Sequence, residues 1–562
     1  MVVLTGNPGD GKTAFLQQLA LHLSYKEESL PLNHWSIEKD GWTFECVLDG
    51  SAADSGRGLN SDEILDSILA PLEDVGEKVE LTEALRRTQL LAINDGRLLE
   101  YLYDRLEDRS WVVQHLLMLL GERIGNPHPQ IILADLKQRS LVTGVEGDTF
   151  DAVLSALLDG GWGENRLSKD PWEVCRQCRA AAGCHVLFNV DTLIHPKMGP
   201  QIRKRLKILL MIVHSRGRLH ITMRELRSML TFLIFGDQTC EQIHTEQEGT
   251  AYEEEEGQEQ KQVALKHQLL QLEKLYFKRL FIAGTNGGRL FEELSDFDPA
   301  YVDNPRFDRL VAAAQKSPES IESLFTFAEG RIPYVALFFD TKGQEERFYD
   351  TLHVTLRRRY FFEGRKDCWG EVTEDDFWLE MTAFHSTKQW IKYLTNFQKG
   401  VHELPEDLCR LICRGISRTD NVPDELLDRF LAVRTASSFK TDLVVVRLFD
   451  LSEFTLVWEK TKTPVTVFGE IPRAMLLHFA KGRDPTLEIS SDLFEVLMRF
   501  AEGYRMGAEE LEGVAAHLQL FKNRLLAMPA KEVCLLHPTF GQFKAKQELV
   551  NGVRQIIMEE LV

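Results

Sequence analysis

The sequence predicts an α/β fold: a doubly wound parallel sheet at the N-terminal end, then a mostly helical region carrying a small β insert. Three observations predict it. Short apolar runs alternate with helical stretches over residues 1 to about 235, the pattern of strands joined by crossover helices. The first such run leads straight into a glycine-rich loop. From Val263 onward the helical apolar period dominates instead.

The strand candidates are the mostly apolar runs at residues 2–5, 43–48, 90–93, 131–134 and 186–190. Helices fit at 13–25, 61–69, 81–88, 97–105 and 152–158. Segments 200–214 and 222–235 read as a terminal helical pair. Thr222 is a good N-cap for the second of these, and Glu225 completes a capping box. The glutamate-rich stretch 246–261 reads as a solvated linker or exposed loop. Beyond it, 268–282, 317–329, 345–361, 378–397, 405–416, 492–504 and 508–526 carry helical spacing, while 443–446, 455–458 and 465–468 form the β insert. The expected organisation is a core over 1–198 with a cysteine-rich knuckle at 172–186, a helical lid over 199–240, an acidic linker over 241–262, a helical domain over 263–440 and an α+β domain over 441–562.

At about 150 residues per domain, 562 residues suggest three or four domains. The 86 acidic and 66 basic residues leave a net charge of −20, which argues against non-specific wrapping of nucleic acid by the whole surface. A local basic groove, or a channel formed on assembly, stays compatible with it. No run of about 18 apolar residues is present, so no membrane span is expected. The N-terminus lacks the pattern of a secretory leader, and a cytoplasmic location follows as the expectation. In that setting the nine cysteines read as thiols or metal ligands rather than disulfides.

The loop itself is Gly6-Asn7-Pro8-Gly9-Asp10-Gly11-Lys12-Thr13, a complete match to GxxxxGK[ST] between a strand and a helix. In such a loop backbone N–H groups turn inward around phosphate oxygens, and the helix start adds partial positive charge. Lys12 would reach the β- and γ-phosphates, and the Thr13 hydroxyl would hold Mg²⁺. A nucleoside triphosphate, ATP, with Mg²⁺ is the expected ligand.

Hydrolysis needs a carboxylate on Mg²⁺ or on the attacking water. Asp49, Asp95 and Asp135 each end an apolar strand, where ligands bind in open α/β sheets. Asp95 is the favoured magnesium ligand, and Asn94 would orient water or sense the γ-phosphate. Asp135 falls on a sensor strand. Each aspartate alone is equally a helix N-cap. Gly96 follows Asp95 where an adjacent water-activating glutamate would stand, so slow hydrolysis, or a base from elsewhere, is expected.

Cys175-Arg176-Gln177-Cys178 and then Cys184-His185 suggest a structural zinc site. Cys175, Cys178 and Cys184 would supply three ligands, and His185, Cys46 or Cys240 the fourth. Free buried thiols, or a redox or iron–sulfur role, are the alternatives. The run Arg357-Arg358-Arg359-Tyr360-Phe361-Phe362 pairs basic and aromatic residues as single-strand nucleic-acid sites do, or forms a helix with a packed end. Residues 284–288 read as a turn.

On the GNPGDGKT loop and the Thr222-Met223-Arg224-Glu225-Leu226 helix start, residues 1 to about 240 resemble AAA+ and related P-loop ATPases. The resemblance implies that Arg224 is a lid sensor arginine touching the γ-phosphate. It also implies an arginine finger acting on a neighbouring subunit, with Arg139, Arg203 and Arg205 as candidates. The series GNPGDGKT, AIND, ADLKQRSLV, the cysteine knuckle and ITMRELRSMLTFLI is similar to the ATPase subunit of DNA phosphorothioation-dependent restriction systems and to related ATPases of bacterial anti-phage defence. That similarity implies an ATPase working with other protein subunits or further copies of itself, reaching DNA through its partners and not a membrane. The rival readings are a slow nucleotide-gated switch or scaffold, and a signal-transduction ATPase whose helical half senses a ligand.

Overall fold

The computed structural model describes the chain except residues 24–32, 76–85, 121–127, 143–148, 161–169, 254–270, 282–287, 302–307, 313–345, 365–385, 460–472, 479–484 and a few shorter segments. The sequence expectations at 317–329 and 465–468, most of 284–288, and Arg139 lie outside the described residues. Two compact units are present. One gathers Met1–Arg203 and His220–Ser295, and the other Lys204–Leu219, Asp296–Lys460 and Pro472–Val562.

The first unit is mixed α/β around a five-stranded, mostly parallel sheet. Its strands are β1 (Val2–Thr5), β2 (His34–Lys39), β3 (Trp42–Val47), β4 (Arg87–Ala92) and β5 (Ile132–Asp135), in the spatial order β2-β3-β4-β1-β5. β1 pairs in parallel with both β4 and β5, β3 is parallel to β4, and β2 returns antiparallel to β3. The β2–β3 hairpin turns on Asp40 and Gly41, both at positive φ, the conformation a tight two-residue connection needs.

Helices lie on both faces. Val3, Val47, Leu91 and Leu133 point to one face and pack under α2 (Ser61–Val75), α3 (Asp95–Asp104) and α4 (Trp111–Leu119). The alternate residues Leu4, Cys46, Leu48, Leu90 and Ala92 face the other way, against Leu16 and Ala20 of α1 (Lys12–Leu23). Period-2 alternation in β1, β3 and β4 thus divides the core into two layers.

Three sequence expectations are corrected in this unit. Residues 186–190 are helical, inside α7 (His185–Ile194), so the sheet has no strand there. A short apolar run does not by itself separate strand from helix. The run is helical because His185, Leu187, Asn189, Val190, Thr192 and Leu193 are the residues it buries, and Asn189 bonds to four backbone groups. Arg87 and Thr88 belong to β4 rather than to a helix. The first part of the acidic stretch is helical, α10 (Cys240–Glu253). The remaining helices of this unit that bear on the site are α5 (Thr149–Asp159), α6 (Glu173–Arg176), α8 (Met198–Ser215) and α9 (Met223–Phe235); α8 continues past Arg203 into the second unit.

The second unit is far richer in strands than a small insert. An antiparallel sheet runs β13-β12-β11-β7-β6, built from β6 (Phe430–Ser437), β7 (Val444–Asp450), β11 (Glu532–His537), β12 (Gly541–Val550) and β13 (Val553–Glu560). A second runs β10-β9-β8, from β8 (Phe454–Glu459), β9 (Arg473–His478) and β10 (Thr486–Ile489). β12 and β13 read GQFKAKQELV and VRQIIMEE, rich in the Lys, Gln, Glu and Ala that favour helices, and only the hairpin ladder makes them strands. The helices at Glu346–Glu363, Glu406–Arg418, Ser491–Ala501 and Ala508–Ala527 match the sequence expectation closely.

The basic run on the first of these helices is not a nucleic-acid surface. Arg357, Arg358 and Arg359 are buried, and they pair with Asp308, Asp298 and Glu363 at 3.0, 2.6 and 2.7 Å. The pairs to Asp298 and Glu363 are buried on both sides, and guanidinium groups held in this way fix helix packing rather than face a phosphate.

Helices Glu406–Arg418 and Ser491–Ala501 cross at Gly415, where a methyl group would overlap the Leu497 carbonyl. Gly415→Ala is therefore expected to lower stability by about 1–3 kcal/mol, the usual range for overpacking, read as a shift in the urea midpoint of the full chain.

Candidate functional site

All four parallel strands end on the same edge of the sheet, and the loop Gly6–Thr13 leaves β1 in the middle of that edge. The loop curls because Gly6 and Gly9 adopt φ of 139° and 103°. A side chain on Gly6 would meet Asp10 Oδ2 at 2.6 Å, and one on Gly9 would meet Arg224 Cβ at 3.0 Å. The second contact matters most, because it is where the start of α9 sits on the loop. The Arg224 N–H donates to the Gly9 carbonyl at 3.2 Å. His220 Nε2 stands 3.0 Å from Asp10 Oδ1, and Asp10 Oδ2 accepts from the Asn7 N–H at 2.6 Å. Asp10 therefore faces the loop's own backbone and the approach to α9.

Helix α9 begins with the expected capping box. Thr222 Oγ1 accepts the Glu225 N–H at 3.2 Å, and Glu225 Oε2 accepts the Thr222 N–H at 2.9 Å. Its buried stripe is Leu226, Met229, Leu230, Leu233 and Ile234. The opposite stripe, Arg224, Arg227, Ser228, Thr231 and Phe232, has the same helical spacing and lines a cleft of about 810 Å³. Across the cleft stand Pro8, Gly9, Gly11, Lys12, Thr13, Ala14, Leu48, Asp49 and Asn94. That volume falls in the range of small-ligand sites.

Lys12 is nearly buried, and its ammonium donates to Gly6 O at 2.8 Å, Asn7 O at 3.0 Å and Asn94 Oδ1 at 3.0 Å. Burial holds it below the ordinary lysine value, against the pull of Asp10, Asp95, Asp49 and Asp135. Thr13 Oγ1 donates to the Leu48 carbonyl at 3.1 Å, beside Asp49. Asp49 is fixed by its own turn. Its N–H donates to Asn33 Oδ1 at 3.1 Å, and its Oδ1 accepts the Ser51 N–H at 2.9 Å. Ser51 Oγ in turn accepts the Asn94 N–H at 3.0 Å, tying the ends of β3 and β4 together.

The three candidate carboxylates part company here. Asp95 Oδ1 accepts the Gly6 N–H at 2.7 Å, and its other oxygen pairs with Lys137 Nζ. Asp95 therefore braces the loop from behind, and it is not among the residues lining the cleft. Asp135 accepts the Lys137 N–H at 3.0 Å in a local turn, also off the cleft lining. Asp49 and Asn94 line it. The reason is chain direction. Asp95 opens α3, and a residue at a helix start points its carboxylate at nearby backbone N–H groups, whereas Asp49 extends its strand past the sheet edge.

Of the arginine candidates, Arg203 donates to Leu193 O at 3.2 and 2.9 Å, and Arg205 is buried. Arg224 and Arg227 are exposed to the cleft. Arg227, Ser228, Thr231, Phe232 and His220 are site residues that motif reading missed. The signal for four of them was present as the polar face of a helix whose apolar face was read as core.

The cysteine knuckle lies elsewhere in this unit. Cys175, Cys178 and Cys184 come together at α6 and the start of α7, but His185 turns away into the core. Its Nε2 lies 3.4 Å from Phe235 O. It does not fit as the fourth ligand. Among the described residues no three His, Cys, Asp or Glu side chains already meet at one coordination point. No helix among them is long and apolar enough to cross a membrane.

No family model matches the chain, and neither a curated protein nor a solved structure matches it.

Burial pushes the His185 imidazole from 6.5 down to about 4. The unfolded chain then takes up a proton that the folded chain refuses, so the stabilisation present above pH 6.5 is lost as pH falls toward 4. Urea midpoints measured between pH 7.5 and 4 should fall across that window, and His185→Leu should flatten the part of the slope due to this group.

Proposed function

We propose that the chain is a P-loop nucleoside triphosphatase, with ATP and Mg²⁺ bound between the loop Gly6–Thr13 and the polar face of α9. The observation that carries the reading is the cleft itself. Lys12, Arg224 and Arg227 converge on it, with Thr13 beside the single carboxylate Asp49 among its described lining residues. Three cations and a helix N-terminus suit a polyphosphate, and one hydroxyl next to one carboxylate suits the magnesium it carries.

Each residue then has a role. Lys12 exchanges its bonds to Gly6 O, Asn7 O and Asn94 Oδ1 for phosphate oxygens. Thr13 and Asp49 hold the magnesium shell, so Asp49 replaces Asp95 in that assignment. Asn94 orients water or senses the terminal phosphate. Arg224 and Arg227 approach from α9 and report the state of the nucleotide to the lid. Asp95 keeps the loop in shape through the Gly6 N–H.

The absence of a second carboxylate among the described lining residues favours slow or partner-dependent turnover, the nucleotide-gated switch. The place of the protein in a DNA-restriction or anti-phage complex rests on the sequence resemblance. ATPase rates with and without DNA separate the two. DNA-stimulated turnover that Lys12→Ala abolishes supports the defence machine, and tight binding without turnover supports the switch.

Lys12→Ala should weaken nucleotide binding by about 10- to 100-fold, the worth of hydrogen bonds to a charged group, measured by calorimetry. Asp49→Asn should keep binding and lose the magnesium dependence of turnover. Asp95→Asn should keep the magnesium dependence and lower stability by about 1 kcal/mol through its lost contacts. The opposite pattern in the two aspartate variants would return the metal to Asp95. No detectable nucleotide binding by the unaltered chain would overturn the whole reading.

A further inference from the structure

The cysteines left over from the cleft form a cluster that spans two parts of the chain. The turn at α6 is closed by the Cys178 N–H on Cys175 O at 3.2 Å, and the Ala180 N–H points back at Cys178 Sγ at 3.4 Å. N–H groups directed at cysteine sulfurs stabilise thiolates and set their direction. Cys184 is the N-cap residue of α7, and its N–H donates to Ala181 O at 3.3 Å, which continues the turns that begin at Cys175.

The second part is α10, which follows the C-terminal end of α9 after four residues. Cys240 opens it and His244 lies one turn on. His244 Nε2 is 3.2 Å from Cys178 Sγ, and the Arg179 Nε–H donates to His244 Nδ1 at 3.4 Å. With Nδ1 accepting, the ring proton sits on Nε2 and points at the Cys178 sulfur. The knuckle presses close to this helix, since a side chain on Gly183 would meet Gln247 Nε2 at 2.5 Å. Cys240, His244 and Gln247 recur at helical spacing on α10, so the face that meets Cys178 and Gly183 carries Cys240 toward the turn that holds the other three thiols.

We propose that Cys175, Cys178, Cys184 and Cys240 form a tetrathiolate zinc site, with His244 donating a hydrogen bond to the Cys178 sulfur. A closed set of four sulfurs is structural chemistry, with no open position for a reacting group. His185 plays no part, because its ring is held in the core against Phe235 O. The site would staple α10 to the knuckle and so hold the C-terminal end of α9, the helix that lines the cleft. It stands independently of the nucleotide reading.

The full chain, purified and dialysed, is assayed for metal content and titrated with Co²⁺. One zinc per chain is expected, together with the visible bands of tetrahedral cobalt and strong thiolate charge transfer. Cys240→Ser should lose the metal, and His185→Leu should keep it. His244→Ala should keep one equivalent but weaken it by about 10- to 100-fold in competition with a chelator, as loss of an outer-shell partner does. A chain that neither carries zinc nor gives the tetrahedral cobalt spectrum overturns the proposal. So does full zinc content in Cys240→Ser with loss in His185→Leu. The cobalt titration uses the unaltered chain, so it decides the matter even where a cysteine variant fails to fold.

Discussion

The position of β1 in the middle of a parallel sheet is the constraint on which the site depends. Because β1 pairs with β4 on one side and β5 on the other, the loop it feeds emerges between the ends of its neighbours. Parallel pairing makes all those ends point the same way. The loop, the Asp49 turn and Asn94 therefore collect on one edge, while both faces of the sheet are covered by helices. A parallel sheet buried on both faces tolerates little register error, so the relative heights of Thr13, Asp49 and Asn94 are set by backbone ladders rather than by side-chain choice.

The second requirement is the landing of α9 on the loop. Gly9 leaves no room for a side chain, and the Arg224 N–H bonds to its carbonyl. The capping box at Thr222 and Glu225 fixes the first turn of α9, so Arg224 and Arg227 are presented at a defined height opposite Lys12. In the proposed function this contact is how the loop and the lid sense each other, since anything that moves Gly9 moves the helix start. The proposed zinc staple would hold the other end of the same helix, leaving α9 anchored at both ends.

The acidic net charge fits this arrangement. Lys12, Arg224 and Arg227 line the cleft, while the basic run Arg357 to Arg359 is buried in ion pairs. A run of like charges in sequence says little about surface potential when each member is buried and has its own counter-ion.

The sequence alone was enough for the loop motif, strands β1, β3, β4 and β5, the helix α9 with its capping box, and the residues Lys12, Thr13, Asn94 and Arg224 at the cleft. These are legible because they rest on local spacing: a glycine pattern, an apolar period, a cap three residues from its partner. Only the tertiary structure decided which aspartate faces the cleft, because Asp49, Asp95 and Asp135 look alike as strand-end residues and differ only in what their backbones turn toward. It also decided that 186–190 is helix, since a short apolar run fits either period and the burial of Asn189 and His185 settles it. And it decided that β12 and β13 are strands, because their composition favours helix and the cross-strand pairs, between them and from β12 to β11, outweigh that local preference.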